Sequence, residues 1–266
     1  MRLRTVALAV CAAVIIAAAN SLAAAACPSP SSPIDTDRPG VTNSSKVVPY
    51  GSFQAESGSD WMVSHGNNLL TGSNTRLRFG VYDCTEFLID VPNYVGSLNR
   101  SQPSGFSDVV VSLKHQFPEP FGFKGFNVSA TAGLGFPSGS SEISGRGYQP
   151  YIQAPWSYKI SKEWSASGTF TLGWFPSESS RNPTFGPAIS LGRKLGSSAS
   201  MAIEYGGMYD HQRPIHVLDT VGQWRLTNTQ QLDFQAGFGL NSSSVDHFFG
   251  IGYSFRLDGL LGASAN

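Results

Sequence analysis

The side chains able to do chemistry are few and poorly grouped. The five histidines are His65, His115, His211, His216 and His247. None belongs to an H-E-x-x-H pair, which would place two imidazoles on one helix face, and neither a G-x-S-x-G elbow nor a phosphate loop is present. His211 and His216 lie five apart in or beside a loop, a poor spacing for a shared metal, and read as polar loop residues. No catalytic or metal-ligating residue is expected, and no cofactor is implied. The remaining candidates are charges set on the polar side of alternating stretches: Glu56, Arg76, Arg78, Glu86, Asp90, Asp108, Lys114, Glu204, Arg225, Asp233 and Arg256. Such charges could line a polar interior and set what passes, or fill that interior as salt bridges. Both signs occur in similar numbers, so strong ion selectivity is not implied.

The elements that would position these charges show best between Thr229 and Leu257. Leu232, Phe234, Ala236, Phe238 and Leu240 alternate with Asp233, Gln235, Gly237 and Gly239. Phe249, Ile251, Tyr253, Phe255 and Leu257 alternate with Gly250, Gly252, Ser254 and Arg256. A period of two makes each run a strand with one apolar and one polar face. Each is about 10 residues long, enough to cross a bilayer as a tilted strand. Setting Leu232 opposite Leu257 gathers both apolar sets on one face and sets Phe238 opposite Ile251. It also places Asp233 opposite Arg256, an expected cross-strand pair inside a barrel.

The chain of 266 residues suffices for one large β-domain. A net charge of +0 with only 14% charged residues gives no reason to expect a nucleic-acid partner. The 29 glycines and 12% aromatics suit closely spaced strands with aromatic girdles. Beyond the N-terminus no apolar run approaches the roughly 18 residues of a membrane helix. Residues 1–26 read as an export signal: Arg2 and Arg4 precede an apolar core from Val6 to Ala19, and Ala24-Ala25-Ala26 offers a cleavage site. Cys27 would then begin the mature chain, either lipidated or available for a disulfide.

Residues 27–50 carry Pro28, Pro30, Pro33, Pro39 and Pro49, which disfavour regular structure. They form a lead-in segment, lying on the periplasmic rim or folded into the lumen. A barrel over 51–257 follows, with a tail at 258–266. About twelve strands are expected near 51–62, 74–82, 86–95, 107–117, 125–136, 149–159, 163–175, 184–195, 199–209, 215–226, 229–240 and 247–257. Strand seven places Trp164 and Trp174 near its two ends, as an aromatic belt at each interface requires. In strand six Pro150 and Pro155 each remove a ladder donor, so a bulge or break is expected. Long polar connections near 63–73, 96–106, 137–148, 176–183, 210–214 and 241–246 alternate with short ones near 83–85, 160–162, 196–198 and 227–228, with an intermediate case at 118–124. Long outer loops and short periplasmic turns are the rule for bacterial outer-membrane barrels. This topology puts Cys84, in the first short turn, on the same oxidising side as Cys27, and a Cys27–Cys84 disulfide is expected. A three-residue turn at Asp83–Thr85 would set Arg78 opposite Asp90.

Thr36-Asp37-Arg38-Pro39-Gly40, followed by Gly51-Ser52-Phe53-Gln54-Ala55-Glu56-Ser57-Gly58, resembles the opening of the bacterial outer-membrane family named for the MetA pathway of phenol degradation. Gly105-Phe106-Ser107-Asp108 and Phe136-Pro137-Ser138-Gly139 are also similar to that family. The resemblance covers nearly all of the mature chain and implies a transporter-like outer-membrane barrel. Outer-membrane proteins usually end on an aromatic residue, whereas here Asp258 to Asn266 follow the last strand. The expectation is an all-β, transmembrane antiparallel β-barrel of the outer-membrane type with about twelve strands. Its expected role is a channel passing small, aromatic or hydrophobic compounds, with Glu56 and the charged residues as its lining. Partners would be outer-membrane lipid, the barrel-assembly machinery and a small-molecule solute. A closed structural barrel without transport, an outer-membrane lipid-modifying enzyme and a soluble secreted β-protein are the alternatives.

Overall fold

The computed structural model describes residues 27–99, 102–145, 147–176, 181–210 and 213–260. The expected signal segment, His211, part of the 176–183 connection and the end of the tail lie outside the described residues. The alternating sequence is realised as one antiparallel sheet of fifteen strands. In chain order these are β1 (Phe53–Ser64), β2 (Asn67–Gly72), β3 (Arg76–Tyr82), β4 (Thr85–Asp90), β5 (Tyr94–Ser97), β6 (Gly105–Phe106), β7 (Val109–Pro118) and β8 (Phe126–Phe136). They continue as β9 (Gln149–Lys159), β10 (Trp164–Pro176), β11 (Arg181–Lys194), β12 (Ala199–Met208), β13 (Ile215–Thr227), β14 (Gln230–Gly239) and β15 (His247–Leu257).

These strands make twelve passes. The pairs β2 and β3, β4 and β5, and β6 and β7 are each one pass, interrupted at 73–75, 91–93 and 107–108. The sheet closes where β1 pairs with β15, from Phe53 opposite Leu257 to Val63 opposite His247. Closure pairs the first long strand with the last, and among the described residues only the two-residue β6 at the end of the sheet is paired on one side, as strands lying in hydrocarbon require of their backbone groups.

The two faces invert the usual core. Ile251 is 65% exposed, Phe234 58%, Ile189 and Ile203 53% each, all pointing outward. Inward, Glu56, Arg78 and Glu86 are 0% exposed, and Gln54 and Lys114 1%. Apolar side chains belong toward lipid and charges toward the interior, because Arg or Lys on the lipid face near the midplane costs about 2–4 kcal/mol.

Several expectations are corrected. The 63–73 stretch is not a long loop: β1 and β2 continue to a tight turn at His65–Gly66, with Ser64 opposite Asn67. Likewise β5 and β6 take up both ends of the 96–106 connection. The last hairpin has the expected faces but is displaced by four residues. Leu232 lies opposite Tyr253, Asp233 opposite Gly252 and Phe238 opposite His247. Alternation defines only the parity of a register, so a slip of four leaves every side chain on its face. The expected Asp233–Arg256 pair therefore does not form. In the β3–β4 hairpin Asp90 lies opposite Arg76, and Arg78 opposite Leu88. The turn holds two residues, Asp83 and Cys84, with a register shift between Gly80 and Tyr82. Strand β9 carries no bulge and its ladder to β10 is continuous, while the expected break appears in its ladder to β8. That ladder has no pairs between Val128–Trp156 and Thr131–Gln153, where Pro155 has no amide to donate.

Candidate functional site

Residues 27–52 run through the barrel interior as a strap. An extended segment with no neighbouring strand must find its backbone partners elsewhere. Here wall side chains supply them around most of the circumference. The amides of Asp37 and Arg38 donate to Glu56 Oε2 on β1, at 2.9 and 3.0 Å. Gly40 donates to Gln235 on β14 at 2.8 Å. Val41 and Thr42 donate to Glu204 on β12, at 2.7 and 3.2 Å, and the Thr42 hydroxyl adds a bond of 2.6 Å. Asn43 donates to Thr169 on β10 at 2.9 Å. Val47 donates to Gln116 on β7 at 3.1 Å, and Val48 to Glu86 on β4 at 2.7 Å. Bonds to charged acceptors are worth roughly 1.5–3 kcal/mol each. Glycines on the same inner face make room: a Cβ at Gly252 would stand 2.7 Å from Arg38 Nε and 2.6 Å from Asp233 Oδ1.

Asp37 is the electrostatic centre. Its Oδ2 accepts from Arg76 Nη1 at 3.0 Å, and its Oδ1 from Lys114 Nζ at 3.1 Å and the Ser44 amide at 3.0 Å. Arg78 Nη1 lies 3.8 Å away. Arg78 also binds Glu86 through Nε and Nη2, at 3.0 and 2.8 Å, and Glu56 through Nη1 at 2.8 Å. Its remaining bonds go to the carbonyls of Asp35 and Lys46, so wall charge and strap backbone form one network. Arg38 reaches from the strap between Asp60 and Asp233, 3.8 and 3.7 Å away.

Burial pushes the Asp37 carboxyl up, but Arg78, Lys114 and Arg76 outweigh it and hold the group well below the ordinary carboxylate value. For Asp35 burial likewise acts upward, and the Lys46 charge with the Ser44 hydroxyl brings the net result below the usual range. Lys46 is raised by Asp35, 3.1 Å away.

Ten of the eleven candidate residues thus fall into three groups, and Asp108 stands apart. Glu56, Arg76, Arg78, Glu86, Asp90 and Lys114 meet Asp37 and each other on one wall, with Arg76 gripping Asp90 at 2.6 and 3.0 Å. Glu204 and Asp233 face the strap from the other wall. Arg225 and Arg256 stand at the short-turn end, where Arg225 donates to the Ser197 carbonyl and Arg256 pairs with Asp258 at 2.8 Å. Arg256 also donates to the carbonyls of Pro30 and Ser32. Asp108 lies in the interruption between β6 and β7, where its carboxylate accepts from the amides of Ser138, Gly139 and Gly145 at 3.0, 2.8 and 3.0 Å and from the Gln149 side chain at 2.7 Å. The sequence reading missed Asp37 and Arg38, which sat unassigned in the lead-in. It also missed Asp60 and Asp219, although both lie in phase with inward residues of their strands. The Cys27–Cys84 disulfide joins the start of the strap to the first short turn, with Cα atoms 5.2 Å apart.

The strap divides the interior into two cavities that share Arg38 and Asn43 as lining residues. The one toward the short turns measures about 820 Å³, and the one toward the long loops about 590 Å³.

Among solved structures the chain is similar in fold to the COG4313 outer membrane channel from Pseudomonas putida F1. The identity is 15%, the match covers 79% of this chain and 97% of that one, and the TM-score is 0.61. The NanC porin is similar at 14% identity over 77% of this chain and 100% of that one, with a TM-score of 0.56. The KdgM porin follows at 8% identity over 76% and 98%, with a TM-score of 0.53. No curated protein matches the sequence. A family profile matches residues 36–257, from the strap motif to the end of the last strand, and the chain belongs to the family described as "Putative MetA-pathway of phenol degradation".

Proposed function

We propose that this protein is an outer-membrane channel for small solutes, aromatic or apolar compounds among them, whose lumen is narrowed by residues 27–52. The observation that carries the reading is the strap itself, bonded to wall side chains and separating two cavities that would otherwise be one passage. A closed structural barrel would need no internal cavities of these sizes. The fold shared with an outer membrane channel and with porins supports the same reading. On it the N-terminal segment exports the chain, the assembly machinery inserts the barrel, lipid covers the aromatic outer face, and the short turns with the disulfide face the periplasm. The charged network acts chiefly to hold the strap, and the lining presented to solute is what remains around the two cavities.

Planar-bilayer conductance of the refolded protein, with and without residues 28–50, tests this. Discrete openings in the full-length protein that grow after deletion are expected. Silence of both forms, each shown to be folded by heat-modifiable gel mobility, would refute passage by diffusion. Release of fatty acid from added phospholipid would instead favour a lipid-modifying enzyme.

A further inference from the structure

We propose that the cavity between the strap and the short turns is a binding site for small organic anions, carboxylates in particular; the proposal rests on the channel reading and names a solute class for it. Charge is separated along the barrel axis although the whole chain is neutral. The charged residues lining this cavity are eight basic and three acidic. Those lining the opposite cavity are two basic and four acidic.

The basic excess is not consumed by internal pairs. Lys46 is held by Asp35 at 3.1 Å, Arg193 by Glu163 at 3.6 Å and Arg256 by Asp258 at 2.8 Å. Lys159, Lys162, Lys194 and Arg225 also line the cavity and make no ion pair among the described residues. Basic residues near a barrel rim often reach out to lipid headgroups, but strand parity argues against that here. Lys159 is in phase with Ser157 on β9, Lys194 with Ser190 on β11, and Arg225 with Gln223 on β13, and all of these line the cavity. The three cations therefore converge from alternate strands on one space.

Ser165 adds a hydroxyl donor to the same cavity, where the Ser157 hydroxyl already bonds Ser45 at 2.7 Å and the Ser200 hydroxyl donates to Gln223 at 3.2 Å. Unpaired cations with neutral hydroxyl donors favour an anion over a cation, and a cleft lined by one sign of charge concentrates its counter-ion. At about 820 Å³ the space matches small-molecule sites, which span roughly 300–1,000 Å³.

The test is isothermal titration of benzoate into the full-length refolded protein in a zwitterionic detergent, with benzamide as neutral isostere and detergent alone as reference. Saturable benzoate binding is expected, weakening as salt is raised, with benzamide bound about tenfold less tightly. Combining Lys159→Ser, Lys194→Ser and Arg225→Ser should weaken benzoate binding by about tenfold, in line with three exposed charge contacts. Equal binding of benzoate and benzamide, or a folded triple variant that binds like the parent, overturns the proposal. Should the triple variant fail to fold, the benzoate–benzamide difference and its salt dependence decide alone. Parallel conductance separates the two readings. Openings without benzoate preference remove the anion site and keep the channel, and benzoate binding in a silent barrel does the reverse.

Discussion

Replacing Asp37 by asparagine removes one negative charge at the point where the strap meets three cations of the wall. Two charge-assisted bonds are lost, from Arg76 at 3.0 Å and Lys114 at 3.1 Å. Each is worth roughly 1.5–3 kcal/mol. The loss is partly offset, because Arg76 keeps Asp90 at 2.6 Å, Lys114 keeps Glu86 at 3.4 Å and Arg78 keeps both of its glutamates. The Ser44 amide can still donate to the asparagine carbonyl. A net destabilisation of the seated strap of about 2–4 kcal/mol results. At about 1.4 kcal/mol per tenfold, the displaced strap gains roughly 30- to 700-fold in population. The barrel wall should survive, since its ladders do not involve Asp37. Single-channel recording reads the change directly as open probability, with gel mobility confirming the fold. Asp35→Asn is the control: its pair with Lys46 is partly exposed, at 35% and 47%, and such pairs contribute about 1 kcal/mol or less. If Asp37→Asn and Asp35→Asn raise open probability equally, or neither does, Asp37 is not the anchor of the strap.

The same carboxyl makes a pH prediction. Its pKa in the folded protein lies below the ordinary 3.8, so its stabilisation is complete above that value and is lost as pH falls further. The Asp37 contribution should therefore be unaltered between neutral pH and about 5 and raise conductance only in stronger acid; a rise near neutrality would point to another group. The Cys27–Cys84 disulfide joins residues separated by 57 positions, and closing such a loop is worth roughly 4 kcal/mol in chain-entropy terms. Cys84→Ser should lower the urea midpoint and free the strap's first residues to protease from the short-turn side, while unchanged digestion would deny the tether a role. On the outer face, Ile251→Arg puts a charge at a position 65% exposed outward in the middle of β15, and should cost about 2–4 kcal/mol in liposome refolding titrations. A neutral result there would mean that this face does not meet lipid.

Much of the architecture was legible from alternation. A strand inserted in a bilayer has to sort its side chains by polarity at every step, so period-two runs reported the faces of β10, β14 and β15 and the inward placement of Glu56, Lys114 and Glu204. Loop lengths reported which end of the barrel Cys84 occupies, and with it the disulfide. Register was not legible to better than parity. Leu232 accepts Tyr253 or Leu257 equally well on an apolar outer face, and only the closure of all twelve passes selects one. The partners of the charges followed the register, so Arg76 rather than Arg78 took Asp90, and Asp233 lay beside Arg38 rather than Arg256. The strap shows the limit most plainly. Its prolines declared an irregular segment but not where that segment lies, because its bonds run to Glu56, Glu86, Glu204 and Gln235, residues far apart in the chain. What the sequence by itself determined was the polarity of each face. The division of the lumen was decided only when twelve passes closed around residues 27–52 and the wall carboxylates found the strap's amides.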